Sequence, residues 1–239
     1  MIAKIRNYDV GLTNAFKNSI MFNNSGNIGL SLIILIFSSA PFVVDGKTPY
    51  LDEAITVQIM ILVLQNLSSN TIGFFNAGRA RMTGKDSLLK VFTMPSIYAL
   101  PLVFLLKNFE IDMTQATLWP ALVYLKNGLV PISLLTLGAQ LAKTEFDLRS
   151  VDVHLSAFTR LIIGPMLAVL FIHLMDFHGV VAQTILIAYS VPTAVNTALI
   201  AVECDSYQDF ASQAVMVSTI FSTVTLTLAI YLARIIFPI

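Results

Sequence analysis

Asn23-Asn24-Ser25-Gly26-Asn27-Ile28-Gly29 interrupts an apolar run that begins near Ala15 and continues past Val44. Ser190-Val191-Pro192-Thr193-Ala194-Val195-Asn196 interrupts a second apolar run over 180–203. Each run is long enough to cross a bilayer, for which about 20 mostly apolar residues suffice. Each is broken near its centre by glycine or proline together with amides and hydroxyls. An unpaired backbone N–H or C=O costs several kcal/mol in hydrocarbon, so a broken helix persists only where its freed groups meet protein, water or a ligand. Two such interruptions in corresponding positions of a chain point to a binding site at the middle of the membrane.

The composition around these breaks belongs to a membrane protein. The chain has 239 residues, of which 56% are hydrophobic and 12% charged, and its mean hydropathy is +0.78. A soluble domain carries roughly 25% charged residues. Net charge is zero, which gives no electrostatic footprint for nucleic acid. Cys204 is the lone cysteine, so an internal disulfide or a cysteine metal cluster is excluded. His154, His173 and His178 lack metal-protease spacing. No cofactor is implied. Residues 1–18 hold Lys4, Arg6, Asp9 and Lys17 among scattered apolar residues, which does not read as a cleavable signal peptide.

The fold expected is all-α and polytopic, with about seven membrane-spanning helices over 15–44, 54–77, 88–106, 117–142, 153–175, 180–203 and 210–236. Residues 1–14 form an N-terminal cytoplasmic stretch and 15–239 one membrane domain. Loop charge sets orientation. Lys4, Arg6, Lys17, Arg79, Arg81, Lys85, Lys90, Lys143 and Arg149 fall at one side, and Lys47, Lys107 and Arg234 at the other. The N-terminus is therefore expected in the cytoplasm and the C-terminus outside. The two broken helices then run in opposite directions, and each is followed by one further helix. Residues 88–239 read as a complete five-helix repeat, and 15–77 as the last two helices of an inverted equivalent. On this reading three helices would precede Ala15.

The break motifs carry a resemblance. Asn24-Ser25-Gly26-Asn27-Ile28-Gly29-Leu30 resembles the first crossover of the auxin efflux carrier family, which includes plant auxin carriers and bacterial organic-acid carriers. Ser190 to Asn196 resembles the second crossover. Leu137-Gly138-Ala139-Gln140-Leu141 and Arg160-Leu161-Ile162-Ile163-Gly164-Pro165 are also similar to the family pattern. The resemblance implies ten helices in two inverted five-helix repeats, of which this chain corresponds to the fourth through tenth. It further implies a transport part, containing both crossovers, that moves against a scaffold made partly of the 88–106 and 117–142 spans, and it allows a homodimer through that scaffold. In the first crossover the family often has proline after Gly-Leu, where this chain has Ser31.

Candidate substrate-binding residues are Asn24, Asn27, Asn66, Asn70, Lys126, Thr193 and Asn196. Asn27 and Asn196 lead: their amides offer donors and acceptors, and the half-helix N-termini beside them suit a carboxylate. The alternative for both is capping of the broken backbone. Asn66 and Asn70 share a helix face and could border the site or merely join helices. Lys126 is an intramembrane cation, a functional candidate by default. Gly26, Gly29 and Pro192 are assigned to the breaks, with close helix packing the alternative for the glycines. Arg160 lies near enough to the cytoplasmic end to snorkel and is expected to anchor the helix. Glu203 is expected to be solvated.

The function expected is secondary transport of a small organic anion of malonate, malate or auxin type by alternating access. A coupling ion, proton or sodium, or the substrate's own gradient would drive it. The alternative is a truncated, non-transporting remnant or a subunit of a larger assembly. No phosphate-binding Gly-rich loop with lysine occurs, and no Gly-x-Ser-x-Gly or His-Glu-x-x-His, so neither ATP-driven transport nor an intramembrane enzyme is indicated.

Overall fold

The structure, a computed structural model, describes residues 2–79, 113–125 and 150–239, with isolated positions between 83 and 109 and at 135, 139 and 142. The described residues are helical, without strands. A short turn, Ile2–Ile5, precedes helix α1, Val10–Met21. Helix α2 spans Ser25–Phe37, α3 Leu51–Gly78 and α4 Val151–Leu174. Helices α5, Gly179–Ser190, and α6, Val195–Glu203, are followed by α7, Gln208–Ile236.

Helices α3, α4 and α7 have 28, 24 and 29 residues and are apolar enough to cross a membrane. At 1.5 Å per residue, each exceeds the roughly 30 Å of a hydrocarbon core. The other four are half-length. Helices α1 and α5 have 12 residues each, about 18 Å. The pairs α1–α2 and α5–α6 therefore complete one crossing apiece.

The first span starts at Val10 and ends at Phe37, rather than at 15 and 44. The local reason lies at its start, where the Asp9 carboxylate accepts the Leu12 N–H at 2.8 Å and caps the helix five residues earlier than hydropathy suggested. The 88–106 and 117–142 spans fall mostly outside the described residues.

Two ends of the bundle are tied separately. At one end Arg6 and Tyr8 bond Asp152 at 2.8 and 2.6 Å, and the Tyr207 hydroxyl donates to Asp9. That bond, with the Leu12 N–H, holds the Asp9 carboxyl below its ordinary pKa. Phe16, Val153, Phe210 and Ala214 pack beneath it. At the other end Phe37, Phe42, Ile172, Ile187 and Phe237 form the largest apolar cluster, with Arg234 5.1 Å above the Phe42 ring. Helices α1, α4 and α7 thus begin at one end, while α3 and α5 begin at the other. The outward faces carry exposed Leu35, Leu64, Met166, Phe171, Leu228 and Ile235, the surface expected where lipid is the solvent.

Candidate functional site

The chain leaves α1 at Phe22 and leaves α5 at Val191, both in extended conformation. The two extended segments meet and pair antiparallel at Asn23 and Thr193. The Asn24 N–H donates to the Pro192 carbonyl at 2.8 Å, and the Ala194 N–H to the Phe22 carbonyl at 2.9 Å. Four backbone groups that a bilayer would leave unpaired satisfy one another, which is what allows two helices to be broken at the same depth.

Breaking a helix also strands the carbonyls of its last turn, and the remedy is reciprocal. Proline at 192 removes the N–H that would have bonded Ala188, and the Asn23 amide donates to that carbonyl at 2.8 Å. In the other arm the Thr193 hydroxyl donates to the Ser19 carbonyl at 2.9 Å. Each break is thus capped by a side chain of the other. Arg160 takes the next carbonyls of both. Its guanidinium donates to Ile20 at the end of α1 at 3.0 Å, and to Tyr189 and Val191 at the end of α5 at 2.5 and 3.2 Å. Arg160 is 3% exposed. A rigid fork of donors suits three carbonyls at once, and its charge opposes the negative ends of two half-helices. It does not snorkel to the nearer end of the bundle: ten residues into α4 its side chain reaches the crossing, where the carbonyls replace water.

Beyond the breaks, α2 and α6 both set their N-termini against α3. Ser25–Gly29 opens α2 as a wide π-helical turn, and Gln58 of α3 donates to the Ser25 carbonyl at 2.8 Å. A Cβ on Gly29 would lie 2.7 Å from the Gln58 Nε2, and one on Gly26 would lie 3.3 Å from Leu62. Both glycines therefore sit in the helix after the break and serve close approach; the non-helical residues are Phe22 to Asn24. Further along, α3 itself widens at Ser69–Gly73. There Gly73 admits Phe22 and Ile200 within 3.1 and 3.3 Å of where its Cβ would be, and Asn18 donates to its carbonyl at 2.9 Å.

The predicted site residues divide into two groups. Thr193 and Asn24 point inward. Thr193 is fully buried with its hydroxyl on Ser19 and its N–H on Ser218, and Asn24 is buried, with its carbonyl accepting from Ile28 and Gly29. These two build the crossing. Asn27, Asn66 and Asn196 are exposed, and Asn70 is half-buried. Asn70 and Asn196 come together in a groove of about 180 Å³ between α3 and α6, which Ser69, Phe74 and the exposed Glu203 also line. Asn27 and Asn66 lie outside that groove. Lys126 lies outside the described residues. The sequence reading passed over Asn23, Gln58 and Gln65, although the seven-residue spacing of the two glutamines already set them on one face of α3.

Two half-helices that cross in antiparallel, inside an apolar helical bundle, are the architecture of a membrane transport protein. The family described as membrane transport proteins matches residues 1–230. The chain belongs to this family, that of the auxin efflux carriers. An uncharacterized transporter of Methanothermobacter thermautotrophicus is 25% identical to it over 228 residues, which is 95% of this chain and 70% of that relative. No solved structure matches it.

Proposed function

We propose that this chain is a secondary transporter of a small organic anion, a mono- or dicarboxylate of malonate, malate or auxin type, working by alternating access about the crossing. The observation that carries the proposal is the antiparallel pairing of the breaks at Asn23 and Thr193. It aims the N-termini of α2 and α6, with their free N–H groups and positive dipole ends, at α3 near the middle of the bundle. The exposed amides of Asn27, Asn66 and Asn196, with Asn70, supply neutral donors beside those ends. Lys126 is assigned to the same carboxylate as an attracting charge.

On this reading α1 to α7 form the moving part, and the 88–106 and 117–142 spans belong to a scaffold through which two copies pair. The N-terminal end faces the cytoplasm. The test is uptake of labelled malonate and malate by cells carrying Asn27→Ala, Asn196→Ala or both. The single variants should lose at least about tenfold in uptake at unchanged membrane abundance, the cost of one or two hydrogen bonds to a charged group. Uptake equal to that of the parent in both singles and the double would overturn the assignment.

A further inference from the structure

The junction of α2 with α3 gathers three side-chain amide oxygens around a single hydroxyl. Three side-chain amides converge on residues 23–25, and each is oriented by a backbone carbonyl. Asn23 donates to Ala188 at 2.8 Å, Gln58 donates to Ser25 at 2.8 Å, and Gln65 donates to the Asn23 carbonyl. Turning any of the three would set oxygen against oxygen. With one N–H of each amide so committed, the amide oxygens of Asn23, Gln58 and Gln65 are fixed in place, and one further donor serves them. That is one hydroxyl: Ser25 Oγ stands beside Asn23 Oδ1 and 3.0 Å from Gln65 Oε1, and its single proton serves one of them at a time. Gln58 is fully buried and its Oε1 has no partner. An unpaired buried acceptor costs about 1–3 kcal/mol.

We propose that this junction is a binding site for a monovalent metal cation, sodium in the first instance, held by Gln58 Oε1, Gln65 Oε1, Asn23 Oδ1 and Ser25 Oγ. A hard cation takes oxygen ligands, and the absence of a carboxylate among these four suits one positive charge rather than two. Unwound backbone at a broken helix is where such ions bind in carriers. Among the described residues of α1 to α7 and the segments joining α1–α3 and α4–α7, every Asp, Glu and His lies in a loop or within the first or last turn of a helix, so none of these competes as a proton site at the crossing. Arg160 already occupies the carbonyls at the ends of α1 and α5, so the ion takes side-chain oxygens from α3, Gln58 and Gln65, and from the break and the start of α2, Asn23 and Ser25. The site deepens the transport reading by naming the coupling partner, and it rests on that reading for its purpose.

The experiment is thermal unfolding of the purified full chain in detergent, without organic anion, titrated with sodium chloride against choline chloride at constant ionic strength. Sodium should raise Tm saturably by about 5 °C relative to choline. Gln58→Leu should abolish that rise with its Tm in choline within a few degrees of the parent's, because the partnerless oxygen is removed together with one of two donors to the Ser25 carbonyl, which keeps the Leu30 N–H. Ser25→Ala, a smaller change, should abolish it as well, and it decides the matter if Gln58→Leu does not fold. Equal Tm in the two salts would overturn the proposal, as for a junction filled by water, and so would a sodium response that survives both substitutions. With no organic anion present, such failure leaves the anion-transport assignment standing; that assignment is decided by Asn27 and Asn196, which touch none of these oxygens.

Discussion

The first and second crossings make the same shape by different means. The second carries its cause in its own sequence: Pro192 cannot donate to Ala188, so α5 must end there. The first has no proline. Ser31, where the family often has one, lies inside α2 and donates its hydroxyl to the Asn27 carbonyl at 2.9 Å, like any helical serine. Its extended residues are imposed from outside, by Gln65 on Asn23, by Thr193 on Ser19 and by Arg160 on Ile20. One break is local and the other tertiary. A carrier fold of this kind needs only one self-starting interruption, because the pairing transmits it to the other.

That contrast can be broken most severely at Arg160. Arg160→Met should cost about 4 kcal/mol in thermal or denaturant unfolding, since three buried carbonyls lose a charged donor at once, and Arg160→Lys should recover only part of it because an ammonium lacks the planar fork. Equal stability of the methionine variant would mean that the crossing does not depend on the clasp. The reciprocal caps come next. Asn23→Leu should cost about 2–3 kcal/mol and Thr193→Val about 1 kcal/mol, because Asn23 serves Ala188 and also meets Ser25, whereas the Thr193 side chain caps Ser19 alone. A reversed order would show that the first arm depends more on its cap than the second does.

Gly29→Ala should cost about 1–3 kcal/mol by driving Gln58 back, an overpacking effect. Gly26→Ala should cost less than about 1 kcal/mol, since its neighbour is the flexible end of Leu62. Chemical denaturation of the pair measures the difference. The smallest effect is expected where the sequence is loudest. Pro192→Ala should change stability by no more than about 1 kcal/mol, because Ala188 already has its donor in Asn23 and the flanking backbone bonds remain. A large loss would mean that the local cause, the proline, is still needed once the reciprocal caps are in place.

Much of the architecture is legible along the chain because hydropathy, charge and helix breakers are one-dimensional signals. The apolar runs, their interruptions and the opposed directions of the two broken helices can all be read that way. Depth is legible too; direction is not. Arg160 sits two to three turns inside α4 at a depth compatible with snorkelling, and nothing near it in sequence tells that its side chain turns toward Ile20 and Tyr189, which are distant in the chain. The same holds for Gln58 and Gln65, whose partners lie on α2 and in the break. The register of the first break is hidden in the sequence for a related reason. Gly26 and Gly29 look like breakers in isolation, but here they lie within the π-helical turn and make room for α3, while ordinary residues, Phe22 to Asn24, take the non-helical path that their partners dictate.

The Arg160 clasp has a consequence for how the protein is made. A ribosome releases α1 and α2 long before α4 and α5, so the carbonyls of Ser19 and Ile20 emerge with neither Thr193 nor Arg160 yet in existence. Until then the cheapest state for residues 10–37 in a membrane is one unbroken helix with its own hydrogen bonds intact. At about 1.5 Å per residue that helix is long enough to span and to tilt. The first crossing is therefore a late event in biogenesis: a finished transmembrane helix is opened at Phe22 to Asn24 only when the second half of the chain arrives to accept what it lets go.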